Sequence, residues 1–118
     1  MATSRDFAFS LGRLLAEHKG GGVVILDLSG LSDWTDWFVI ATAGNVTQLR
    51  GLARHVEEYA ASQGVEARGH PSIPDDEEWV LLDFGETVIH LMSENARRFY
   101  ELERLWFQAP LQEIAAPA

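Results

Sequence analysis

Four histidines, a run of acids and two glycine-bearing loops are the parts of this sequence with chemistry to offer. His18, His55, His70 and His90 lack the spacing of a metal site such as HExxH or HxH, and the chain has no cysteine to act as ligand or nucleophile. The first three are expected to be structural or on the surface; His90, on an apolar hairpin face, stays open. Ser, His and Asp all occur, but no GxSxG elbow presents a serine. The glycines at 20–22 fall between a helical and an extended pattern. A phosphate loop runs the other way, from strand to helix, so these glycines read as a helix stop. Gly44 and Asn45 do lie between a strand and a helix, where an anion could sit. A nucleotidyltransferase would add two carboxylates about one residue apart on a following strand to hold metal ions. Downstream of this helix the chain offers only Glu66 and then Asp75, Asp76, Glu77 and Glu78 in a loop with two prolines. No D-x-D geometry is available, and no enzyme, cofactor or metal is expected.

The elements that would carry these residues can be read from periodicity. Phe7, Leu11, Leu14, Leu15 and His18 recur at helical spacing behind a Thr3 or Ser4 cap. Residues 23–28, VVILDL, form an unbroken apolar run, as a strand covered on both faces would. SGLSDWTD reads as a polar, single-turn helical segment, and WFVIATA at 37–43 as a second central strand. Val46, Leu49, Leu52, Ala53, Val56 and Ala60 trace an amphipathic helix that stops at Gly64, with Arg54 and Glu58 paired on its wet side. VEARG at 65–69 reads as a short strand. Trp79 to Asp83 and Thr87 onward then form a hairpin about Gly85 and Glu86, pairing Phe84 with Thr87, Leu82 with Ile89 and Val80 with Leu91. Ser93 caps a last helix, ENARRFYELERLWF. The order α-β-β-α-β-β-β-α gives an α/β (or α+β) fold, a mixed sheet with packed helices in one domain over 1–118, with an ordered core at 4–108 and a frayed tail at 109–118.

The hairpin poses the main question. Val80, Leu82, Phe84, Ile89 and Leu91 supply a core face, yet the other face, with Trp79, Leu81, Val88 and Met92, is apolar too. Either the last helix, with its own stripe of Phe99, Leu102, Leu105 and Trp106, lies over it, or a partner does.

Composition narrows the partner. Eighteen acidic residues against nine basic ones give a net charge of −9, and the pI is near 4.7. Such a surface repels nucleic acid; its acidity either serves solubility alone or steers a basic protein towards itself. No apolar run approaches the roughly 20 residues of a membrane span, and the start MATSRDFAFS lacks a signal-peptide layout, so a cytoplasmic protein without membrane contact is expected.

The segments DLSGLSDWTDWFVIATAGNVTQLRGLARHVEE and EWVLLDFGETVIHLMSENARRFYELERLW resemble the ribosomal silencing factor family (RsfS, or Iojap-like). The matching positions include Asp27, Asp36, Phe38, Gln48, Gly69, Trp79, Asp83, His90, Arg97, Tyr100, Glu103 and Trp106, and the resemblance spans about residues 8–108. It implies a nucleotidyltransferase-like fold without the catalytic residues. It also implies binding to the large ribosomal subunit through large-subunit protein L-fourteen, a steric block to subunit joining, and a homodimer when free. The partner-facing residues expected on this basis are Trp79, Leu81, Tyr100 and Trp106 as apolar anchors, with Asp83, Glu103 and the loop acids facing basic groups and His90 beside them. The family's Glu-Gly is Arg68-Gly69 here, which removes that Glu or moves it to Glu66. The competing readings are a nucleotidyltransferase-like enzyme acting at Gly44 and Asn45, and a dimerisation module without ribosome binding.

Overall fold

The computed structural model describes residues 3–33, 35–68 and 78–115; His70, Gly69 and the acids Asp75, Asp76 and Glu77 lie outside them. The chain runs α1 (Ser4–Glu17), β1 (Gly21–Asp27), β2 (Trp37–Ala43), α2 (Val46–Ser62), β3 (Trp79–Asp83), β4 (Thr87–Ser93), α3 (Glu94–Tyr100), α4 (Leu102–Leu105) and β5 (Leu111–Glu113). The sheet order is β3-β4-β2-β1-β5. β2 and β4 pair in parallel and the other neighbours antiparallel, so the mixed α/β class holds.

The inner strands are buried on both sides, as their unbroken apolar runs require. One face, with Val23, Ile25, Val39, Ala41, Leu82, Ile89 and Leu91, packs under α1 and α2. The other, with Val24, Leu26, Leu28, Phe38, Ile40, Val88 and Met92, packs among the described residues against Ala96, Leu102 and Ala109 together with the half-buried Trp79, Leu81 and Trp106. The hairpin has the register its pattern demands: Leu82 opposite Ile89, Val80 opposite Leu91 and Trp79 opposite Met92. Gly85 sits at φ +89°, a conformation suited to glycine at the first loop position.

Local chemistry fixes the helix ends. Thr3 and Asp6 form a reciprocal capping box at α1. Asn45 Oδ1 caps α2 by accepting from Gln48 N–H (2.8 Å), while the Gln48 side chain accepts from Gly44 N–H and donates to Lys19 C=O (2.9 Å). Gln48 thereby ties the end of α1 to the start of α2. Ser93 Oγ caps α3 through Ala96 N–H (3.0 Å) and donates to Glu78 Oε1 (3.2 Å).

Three expectations are corrected. The last helix is not continuous: Glu101 adopts the left-handed conformation, φ 46° and ψ 54°, and splits it into α3 and α4. The break lets Arg97 reach Glu103, six residues on, with Nη2 to Oε2 at 3.2 Å; in an unbroken helix these residues would point apart. Residues 65–68 form no strand. Val65 N–H closes the end of α2 on Ala60 C=O, which leaves a single backbone bond to β3, from Arg68 N–H to Asp83 C=O (2.7 Å). The tail is not frayed throughout, because Leu111, Gln112 and Glu113 pair with Leu26, Ile25 and Val24. The segment after β1 makes the single turn expected of it, with Leu31 N–H (2.9 Å) and Ser32 N–H (3.0 Å) both on Leu28 C=O.

Arg97 is the tie between α3 and the sheet. Its Nη1 donates to Thr42 Oγ1 (2.9 Å) on β2 and to Gly21 C=O (3.3 Å) beside the β1 bulge. Gly22 in that bulge has φ +50°, and a Cβ there would come within 3.1 Å of Nη1. Removing the guanidinium would strand the Glu103 carboxylate, whose Oε1 is buried without a hydrogen bond. Arg97→Ala is expected to lower the unfolding free energy in urea by about 2–3 kcal/mol. Arg97→Lys should recover only part of it, since an ammonium lacks the planar fork; full recovery would contradict this geometry.

Candidate partner-binding surface

The expected anchors gather on the thinly covered face of the sheet. An aromatic run crosses it, set out by strand register. Phe99 packs edge-on against Tyr100 (centroids 5.0 Å apart), and Tyr100 lies 4.7 Å from Trp79. Trp79 lies 5.7 Å from His90, His90 4.4 Å from Phe38, and Phe38 6.1 Å from Trp106. Leu81, opposite His90 in the register, lies half-buried beside them. Pairs at these separations hold one another's orientation as well as burying area.

Exposure divides the run. Tyr100 is 47% and Phe99 80% accessible, and the nearby Leu105 and Phe107 are 70% and 77% accessible. Trp79, Leu81 and Trp106 are half-buried. Reading Phe99 and Leu105 as part of a packed stripe assumes an unbroken helix; with the turn at Glu101, only Leu102 of that stripe is fully buried. Phe107 ends the expected last helix but lies off its apolar stripe, and so carries no periodic signal of its own. Its exposure could be found only from the chain path.

The polar members of the expected set are engaged internally. Asp83 Oδ1 accepts from Gly85 N–H (2.8 Å), holding the hairpin turn. Glu103 binds Arg97, while Glu94 and Glu101 pair with Arg98 (2.8 Å) and Arg104 (3.3 Å). Arg68, at the departure from the family pattern, is exposed, with its guanidinium over Gly85.

His90 is not on the surface. It is 3% accessible, and its Nδ1 accepts the Trp79 indole N–H at 3.2 Å. An indole nitrogen only donates, so Nδ1 is bare and the ring proton sits on Nε2. That Nε2 is buried with no hydrogen-bond partner among the described residues. His18 and His55 stack with centroids 3.7 Å apart, joining the end of α1 to α2. Gly44 and Asn45, with Thr42, Glu78, Ser93 and Glu94, line a cleft of about 360 Å³. The Gln48 and Asn45 side chains there already engage the N–H groups of Gly44 and Gln48. Among the described residues, no helix is long and apolar enough to cross a membrane.

With this geometry in place, the comparisons with known proteins are specific. The chain matches, over residues 1–118, the family described as "Ribosomal silencing factor during starvation". It is 37% identical over 100 residues to "Ribosomal silencing factor RsfS" of Treponema pallidum, covering 84% of this chain and 88% of the relative. To the protein of the same name in Bacillus subtilis it is 32% identical over 98 residues, covering 83% and 82%. Its backbone superposes on the crystal structure of a Chromobacterium violaceum protein with a TM-score of 0.83 at 28% identity, covering 98% of this chain and 96% of that one.

Burial lowers the His90 pKa from its ordinary 6.5 to about 4. Between those values the unfolded chain takes up a proton that the folded protein refuses. Stability from the neutral ring is therefore complete above about pH 6.5 and is lost as the pH falls towards 4. From pH 7 to 4.5 the wild type should lose about 2 kcal/mol more unfolding free energy than His90→Gln. Parallel pH profiles for the two proteins in urea denaturation would refute this origin.

Proposed function

Because the chain belongs to the ribosomal silencing factor family, we infer that it represses translation by binding the large ribosomal subunit and blocking its union with the small one. The contact on the subunit is large-subunit protein L-fourteen, as the family resemblance implies, and the block is steric. The protein acts in the cytoplasm, carries out no catalysis, and in this reading is a homodimer when free.

The observation that carries the reading is the aromatic run ending in exposed Phe99 and Tyr100. A Trp and a Tyr held rigidly side by side, ringed by charged residues on α3 and α4, match the usual anatomy of a binding hot spot. Trp79, Leu81, Tyr100 and Trp106 are the anchors in this reading, joined by Phe99, whose exposure supports its inclusion. Asp83 and Glu103 support them from within, by holding the hairpin turn and the α3–α4 break. The three carboxylates of the α3–α4 segment that pair with their own arginines leave attraction of a basic partner to the charge of the whole molecule, −9.

Trp79→Ala should keep its far-UV circular dichroism and lose at least about 2 kcal/mol of binding to purified large subunits. Cosedimentation of this variant with subunits at the wild-type level would sink the assignment. The whole-molecule charge should also show in kinetics: the association rate with large subunits falls as salt is raised, while dissociation changes little. An association rate indifferent to ionic strength would rule out steering.

A further inference from the structure

Trp79 lies on the edge strand β3 and is only half-buried, so sheet packing by itself leaves its large ring free to turn. Its directly opposite residue on β4 is Met92. His90, two residues back on β4, is the diagonal neighbour, a relation within reach of aromatic side chains. From there the His90 Nδ1 takes the indole proton at 3.2 Å.

We propose that His90 is the positioning residue of the partner-facing surface: its bond to the Trp79 indole sets the orientation in which that ring, and Tyr100 packed against it, meet the partner. The role rests on the partner reading given above. Space-filling alone does not account for a histidine here. Leu, Met or Phe would fill an apolar layer between Phe38 and Trp79 without burying an Nε2–H that has no hydrogen-bond partner among the described residues. What histidine adds is one acceptor aimed at β3, and the group that meets it is the indole of the central anchor. The ring also stands mid-way in the aromatic run, with Trp79 and Tyr100 on one side and Phe38 and Trp106 on the other. Fixing it therefore aligns the contribution of α3 with that of α4. An anchor held in its bound orientation loses less freedom on association, which strengthens binding without any new contact.

The full chain labelled with nitrogen-15 tests this by NMR together with binding to isolated large subunits. The Trp79 indole resonance is identified by its disappearance in Trp79→Phe. In the wild type it should exchange slowly with solvent. In His90→Phe it should shift and exchange at least about tenfold faster, with backbone amides of α1 and α2, on the opposite face of the sheet, unchanged, and subunit affinity should fall roughly fivefold or more. His90→Gln, whose Oε1 can accept, should restore part of both. Trp79→Phe, which leaves the buried histidine in place, reads the same bond from its exposed end if His90→Phe does not fold. The affinity losses of the two Phe variants should not add in the double variant. An indole unaffected by His90→Phe, an affinity unchanged once the indole is free, or additive losses would each overturn the positioning role. Wild-type protein that holds its indole but fails to bind subunits would instead overturn the partner reading on which the role rests.

Discussion

A sheet whose inner strands are apolar on both faces has to be covered twice, and this chain covers them unequally. α1 and α2, with 14 and 17 residues, lie on one side. The other side receives α3 and α4, with seven and four. The smaller cover stays in place because Arg97 joins it to β2, to the bulge of β1 and to Glu103 at once. The left-handed Glu101, the glycine at position 22 and the exposed Phe99 all stem from that junction. Turning the chain at Glu101 brings Glu103 and Leu102 inward and sends Phe99 out.

The unequal cover is also what makes the molecule usable as a binder. Apolar surface that the fold leaves partly open must meet water or another protein, and here it is organised by ring-to-ring contacts and one buried hydrogen bond. The carboxylates of Glu94, Glu101 and Glu103 that border it are held by arginines of the same segment. This division assigns affinity to the aromatic centre and encounter rate to the net charge.

Those features differ in how far the sequence betrays them. The hairpin register was readable because a two-residue turn with glycine at its first position fixes the pairing, even with both faces apolar. The two long helices were readable from their spacing and caps. Local pattern favours an unbroken last helix; the break at Glu101 accompanies the Arg97–Glu103 pair and the bonds of Arg97 to Thr42 and Gly21, which helical periodicity does not display. β5 has three exposed side chains and hence no apolar signal; pairing with β1 creates it. VEARG has strand-like residues, yet the end of α2 takes up its first N–H. In the candidate site, the excess apolar face raised the question, and the family resemblance named Trp79, Leu81, Tyr100 and Trp106. The position of His90 on that face was legible too, but its burial and its diagonal bond to Trp79 required the packed structure.

The central claim is that the face carrying β3, α3 and α4 meets the large ribosomal subunit. Hydrogen exchange of the backbone, measured for the protein alone and saturated with purified large subunits, tests it most directly. New protection is expected in peptides spanning Trp79–Asp83 and residues 94–107, with α1 and α2 unchanged. Protection confined to α1 and α2, or none at saturation, would contradict it.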